Sequence, residues 1–320
     1  MRLHVATWNL ESFDERGPIP VEERVEALRP VLERLAADVL CLQEVGAPKA
    51  GGARRLSLLD ELLEGTRYAG FHRFGAGLPS GALNDVHNLV VLSRLPFLSS
   101  RVVAHALVAR PSLERATAPG ARLELTWDRP LLQVSLALEG GRVLHVIAAH
   151  LRAPLAAPLE GEKLSSFSWR RSGAWAEGFF AAGLKRMGQA LEARLLVDEL
   201  LDADPSALVL VMGDLNAELD QTPLRILRAR VEDTGNEALA SRVLTPLTDR
   251  IAPEERFSIF HEGSPQLVDH LLASQALART LARAHIVNRG LKDEWAAAMK
   301  GEVTAGSFHA PVVAELSLPG

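Results

Sequence analysis

The stretch ALVLVMGDLN, residues 207–216, runs six apolar residues into Gly213-Asp214-Leu215-Asn216. A short apolar run closed by turn-forming residues reads as a strand buried on both faces. A carboxylate at the end of such a strand costs free energy to bury unless it is used. The same pattern recurs outward along the chain in both directions. RLHVATWN (2–9) ends in Asn9, and DVLCLQE (38–44) ends in Gln43 and Glu44. RVLHVIAAHL (142–151) carries His150 near its end, QLVDHLLAS (266–274) carries Asp269 and His270, and His309 stands directly before APVVAELSL (310–318). Polar side chains at strand ends converge on one rim of a sheet. Two acids, an amide and two histidines on one rim form an oxygen-rich setting for a hard cation, with bases beside it.

Helical periodicity fills the gaps. Val21, Val25, Leu28, Val31, Leu32 and Leu35 recur at helical spacing across Val21 to Ala36, with Pro30 inside the pattern as a candidate kink. LSLLDELLEG (56–65) and the long pattern from Trp175 to Leu201 read as two more helices. HNLVVLS (87–93), RVVAHALVA (101–109), ARLELTW (121–127) and LLQVSLAL (131–138) read as strands, with Gly140-Gly141 as a hairpin turn. The order opens strand–helix–strand, passes through a run of strands and returns to strand and helix. That is not the strict alternation of a β/α barrel and suits stacked sheets with helices outside. The expected class is therefore α/β (α+β), as one domain over 1–320. The Pro-, Ser- and Gly-rich loop 153–173 and the aromatic stretch after it form a candidate substrate-facing insertion at 153–180.

Hydrophobic residues make up 48% and charged residues 23% of the 320-residue chain, a balance that excludes a disordered or low-complexity protein. One cysteine, Cys41, excludes an intrachain disulfide and a Cys-rich zinc site, and is expected to be an inert core thiol. A net charge of −5 gives no whole-molecule attraction to nucleic acid, though a local basic patch stays open. No apolar run approaches membrane-spanning length, and MRLHVATWNLESFDER has no secretory h-region. The expectation is a soluble cytoplasmic protein with no membrane and no obligate protein partner.

TWNLESF (7–13), LQEV (42–45), HNLVVLSRLP (87–96), AHLR (149–152), GDLNAE (213–218), VDH (268–270) and HAPVVAEL (309–316) resemble, in content and in order, the motifs of the endonuclease/exonuclease/phosphatase superfamily. The resemblance spans nearly the whole chain. It implies a DNase I-like four-layer sandwich, two mixed β-sheets face to face with helices outside. It also implies a metal-dependent phosphoester hydrolase, a phosphodiesterase, nuclease or phosphatase using Mg²⁺ or Mn²⁺. Glu44 matches the family's metal-binding glutamate, and Asn9 the amide that supports metal and phosphate. Asp214 matches the general base that takes a proton from the attacking water, and Asn216 the residue that orients that water. His309 matches the terminal histidine, Asp269 the carboxylate that orients it, and His150 the histidine of the DNase I-like and phosphatase branches. The AHL around His150 argues against an abasic-site repair enzyme. Asn88 matches an asparagine ahead of the LSR strand that lines the cleft.

One position departs. The family usually has Ser-Asp-His before the last strand, and this chain has Ser307-Phe308-His309. Phenylalanine offers no oxygen to a cation. Either the metal binds more weakly, another carboxylate compensates, or the fold survives as a non-catalytic phospholigand-binding protein. In SSFSWRRSGAWAEGFF (165–180), Arg170 and Arg171 are candidate phosphate contacts, and Phe167, Trp169, Trp175, Phe179 and Phe180 candidate stacking surfaces. The blander reading packs those rings on the sheet. Lys185 and Arg186 read as a solvated helix face, and His270 and Arg94 as structural or rim residues.

Overall fold

The structure, a computed structural model, describes residues 1–166 and 168–318; Phe167 lies outside the described residues. Its main strands are β1 (Arg2–Phe13), β2 (Val39–Val45), β3 (His72–Ala76), β4 (Asn88–Ser93), β5 (Phe97–Val103), β6 (Leu131–Ala137), β7 (Val143–His150), β8 (Leu208–Asp214), β9 (Thr245–Pro246), β10 (Asp269–Ala273), β11 (Leu281–Ile286) and β12 (Val312–Ser317). Two six-stranded sheets result, in the orders β11-β12-β1-β2-β4-β3 and β9-β10-β8-β7-β6-β5. Each sheet is mixed. β1 runs parallel to β2, and β7 parallel to β8. A helix makes each crossover: α1 (Val21–Leu35), continuous through Pro30, and α3 (Ser172–Ala203). The remaining neighbours pair antiparallel, including the β6–β7 hairpin around Gly140-Gly141.

Period-two alternation sorts the core into layers. Leu3, Val5, Val39 and Cys41 of the first sheet face Val146, Leu210, Met212 and Leu271 of the second. The opposite parity of the first sheet, Ala6, Trp8, Leu10, Leu40 and Leu42, packs on α1 and on α2 (Ser57–Leu63). The opposite parity of the second, Ile147, Ala149, Val209 and Val211, packs on α3 and on α4 (Thr222–Arg228). Helix, sheet, sheet and helix make the expected four layers.

Several elements differ from the sequence reading. The strand expected over 101–109 starts earlier, at Phe97, and stops at Val103. His105 then turns (φ 60°), and its N–H and that of Leu107 donate to the fully buried Glu192 carboxylate, which also accepts from Trp127 Nε1 at 2.6 Å. ARLELTW yields only Arg122–Glu124, paired with Ser112–Glu114 in a small separate hairpin. Strands β3 and β11 form where none was expected. Both lie on sheet edges and keep exposed polar residues, which hides the apolar pattern. Among the described residues no helix is long and apolar enough to cross a membrane.

Candidate active site

The same alternation explains why acids and histidines meet. On β1, Leu3, Val5, Thr7 and Asn9 share the face toward the second sheet. On β7 it is Leu144, Val146, Ala148 and His150; on β8, Leu210, Met212 and Asp214; on β10, Asp269, Leu271 and Ala273. In register, His150 lies opposite Asp214, and Asp214 opposite Asp269. The apolar seam between the sheets therefore ends in a polar rim. Gly213 makes this close approach possible: a Cβ there would lie 1.8 Å from the Ala149 carbonyl oxygen, and its φ is 146°.

Glu44 reaches the rim differently. Regular alternation would place it on the helix side with Leu40 and Leu42. A left-handed backbone (φ 61°) swings it back toward the seam. Opposite it, β1 bulges at Glu11 and Ser12, both also left-handed (φ 53° and 48°). The bulge leaves carbonyls without ladder partners, and the buried Arg24 guanidinium of α1 collects them. It donates to Leu10 O at 2.6 Å, Glu11 O at 3.0 Å and Ser12 O at 3.3 Å, and across to Ala305 O and Gly306 O.

The side chains form one connected set. Asn9 Nδ2 donates to Asp214 Oδ2 (3.0 Å) and to Glu44 Oε1 (3.3 Å). Ser12 donates to Glu44 Oε2 from its N–H (2.8 Å) and its hydroxyl (3.2 Å). His150 Nε2 lies 3.3 Å from Asp214 Oδ2 and 3.9 Å from Glu44 Oε1. Asn216 donates to Asp214 from its N–H and Nδ2, at 2.9 and 3.1 Å. His309 Nδ1 pairs with Asp269 Oδ2 at 2.8 Å. Trp8 Nε1 donates to the His309 carbonyl, and the Ser307 hydroxyl accepts from the His309 N–H and donates to Asn9 O, fixing this segment on β1. One ligand atom each from Asp214, Asp269 and His309 lie within 4.8 Å of one another.

Charge is distributed unevenly over this set. Burial works against ionised Asp214, but the hydrogen bond from His150, the His309 charge and the Asn216 N–H hold it well below the usual carboxylate range. Burial likewise opposes charge on Glu44, and His87, His150 and Arg129 outweigh it, so it too stays ionised. Burial, then Arg129, keep His150 below the ordinary histidine value and neutral. For His309, burial is outweighed by the facing Asp269, which holds it well above that value as an imidazolium. The rim thus carries ionised Asp214 and Glu44, a neutral imidazole and an imidazolium-carboxylate pair.

A description of the Endonuclease/Exonuclease/phosphatase family matches residues 6–296, most of both sheets and every rim residue named so far except the 305–309 segment. The chain belongs to this endonuclease/exonuclease/phosphatase family. Solved structures share its fold. An endonuclease/exonuclease/phosphatase from Beutenbergia cavernae DSM 12333 is 22% identical, over 100% of this chain and 72% of that one, with a TM-score of 0.57. Truncated Caenorhabditis elegans TDP2 is 15% identical, over 99% and 98% of the two chains, with a TM-score of 0.57. A Neisseria 3' phosphatase, NExo, bound to a product DNA hairpin is 18% identical, over 99% and 100%, with a TM-score of 0.53. Among curated proteins none matches.

Within this family member the rim gathers Asn9, Glu44, His150, Asp214, Asn216, Asp269 and His309. Asn88 stands behind it. Its amide is fully engaged by backbone, donating to Val45 O and Asn84 O and accepting from Asn84 N, so it braces a loop and has no free group for substrate. The Arg171 guanidinium chelates Glu162 and reaches Thr117 O. Arg170 is exposed, and its backbone pairs with the same Glu162. The rings of α3 do not pack on the sheet; Trp175, Phe179 and Phe180 remain 43–58% exposed. His270 faces away from the seam, with Nε2 on Ala217 O at 2.8 Å.

Four residues beside the rim were not picked out from sequence. Glu11 reaches over to the Phe308 N–H, so a carboxyl group stands next to the position where this chain lacks its aspartate. Ser12 and His87 flank Glu44. Arg129 precedes β6 at the same end of the second sheet and interacts electrostatically with Glu44 and Asp214. Its backbone is held by Gln189 of α3, while Asp128 beside it binds Lys185 (2.7 Å) and Arg152 (2.9 Å). Lys185 is therefore no solvated face, and Arg186 donates to Asn216 O. The only available sequence signal was the cluster of polar residues just ahead of β4 and β6.

Proposed function

We propose that this chain hydrolyses phosphoester bonds with the help of a divalent cation. The observation that carries the reading is the convergence of Asn9, Glu44, His150, Asp214 and the Asp269–His309 pair at one end of the inter-sheet seam. The donor set fits a hard cation. Glu44 lies deep in the rim, and neither Lys nor Arg forms an ion pair with it among the described residues; the buried Asp269 Oδ1 has no hydrogen-bond partner. Glu44 would hold the ion, with Asn9 beside it and the Glu11 carboxyl in place of the one Phe308 removes. When bound, the cation neutralises charge on phosphoryl oxygens and lowers the energy of the leaving oxygen.

The chain's own residues supply the rest. Ionised Asp214 accepts a proton from water as that water attacks phosphorus, and the bond from phosphorus to the leaving oxygen breaks in line. Asn9 and Asn216 donate to Asp214 and hold its oxygens in place. The His309 imidazolium, fixed by Asp269, donates to a phosphoryl oxygen as negative charge grows there. Neutral His150 offers a further N–H, and Arg129 a cation for the incoming anion.

The test is hydrolysis of bis(p-nitrophenyl) phosphate and p-nitrophenyl phosphate with Mg²⁺, Mn²⁺ or EDTA. Metal-dependent turnover should fall roughly 10³-fold in Asp214→Ala with its circular dichroism unchanged. Retention of most activity would remove Asp214 from the role of base. Phe308 favours a second reading, a phospholigand-binding protein without turnover. Calorimetry with inorganic phosphate on a protein that cleaves neither compound nor a nucleic-acid panel would support it.

A further inference from the structure

Loop 84–88 is built to hold His87 in a costly conformation. Asn88 ties down Val45 O and both backbone groups of Asn84, the Ala47 N–H donates to Asp85 O, and Asp85 and Val86 N–H groups are capped by the side chains of Asn84 and Asp85. His87 itself is left-handed, φ 58°, a conformation that residues other than glycine rarely adopt. The outcome is that Nδ1 faces Glu44 Oε2 at 3.4 Å. That nitrogen is sealed from solvent and has no hydrogen-bond partner, while 38% of the side chain stays open. An imidazole nitrogen sealed against an ionised carboxylate either donates its N–H to it or shares a cation with it. A cation between the two atoms would take both as ligands. The 3.4 Å between them is short enough for one cation to be held by both.

The geometry points to His87 as a nitrogen ligand completing the Glu44 cation site, which makes the site prefer Mn²⁺ over Mg²⁺. The inference rests on the metal-dependent reading above and adds the identity of a ligand and the sense of selectivity. The added imidazole sets the direction, because imidazole favours first-row transition metals over magnesium.

Electron spin-echo spectroscopy of Mn²⁺ on the full chain tests this directly, because a coordinated imidazole imprints ¹⁴N modulation on the manganese signal. The modulation should be present in the wild type, absent in His87→Asn, and retained in His150→Gln. Asparagine tolerates the left-handed backbone, and His87→Gln with circular dichroism guards against a folding artefact. By calorimetry, His87→Asn should weaken Mn²⁺ roughly ten- to a hundredfold and change Mg²⁺ by less than about threefold. Modulation that survives in His87→Asn, or that only His150→Gln removes, overturns the assignment. A wild type that cleaves phosphoesters with Mn²⁺ but shows no ¹⁴N modulation overturns this inference alone and leaves His87 a hydrogen-bond donor to Glu44. A wild type that neither binds Mn²⁺ nor cleaves any substrate removes the hydrolase reading and this inference with it.

Discussion

Single residues show how strongly burial sets charge in this fold. His270 is fully buried with Nε2 on Ala217 O, and burial lowers its pKa to about 4. The unfolded chain takes up that proton near pH 6.5, so the folded state loses stability as pH falls from about 6.5 to about 4, on the order of 3 kcal/mol in all. Glu11, which burial raises to about 7, works in the opposite sense over the same range: its folded state gains as pH falls from 7 toward 4.5. Comparison with His270→Asn therefore isolates the histidine. The variant's melting temperature should fall less than the wild type's between pH 6.5 and 4.5, and equal slopes would mean that His270 is already charged in the fold. Asp214 and Glu44, both held low, lose their contribution only at still lower pH.

At the scale of elements, the parallel pair β7–β8 decides the site, because it sets His150 beside Asp214. Gly213→Ala adds a Cβ on top of Ala149 O and strains the backbone, so it should cost about 3 kcal/mol or more, read as a lower denaturant midpoint with unchanged slope. Strand-end residues were legible in the sequence. Asn9, His150, Asp214 and Asp269 follow from an apolar run, a fixed parity and a polar stop. His87 and Glu11 were not, because a left-handed turn that alternation does not reveal brings them in. Nor was Arg129, which sits in a loop whose position depends on Gln189 and Lys185 of a helix about sixty residues later. For Arg171, sequence shows the cation but not Glu162, which binds it.

Across the whole molecule, the rim is shared between the sheets. Asn9, Glu44 and His309 come with the first, and His150, Asp214 and Asp269 with the second. The second sheet is assembled from one continuous stretch of chain, Phe97 to Ala273, whereas the first joins β1–β4 to the late strands β11 and β12. β1 pairs with β2 on one edge and with β12 on the other. That pairing has a consequence for the order of synthesis. Until Val312–Ser317 has left the ribosome, the strand bearing Asn9 displays an open, apolar edge, and no histidine faces Asp269 from residue 309. A growing chain therefore holds an unfinished sheet and a rim without His309 until Val312–Ser317 has emerged. Chains stopped before His309 should collect in the insoluble fraction, read by fractionation beside the chain that includes Ser317.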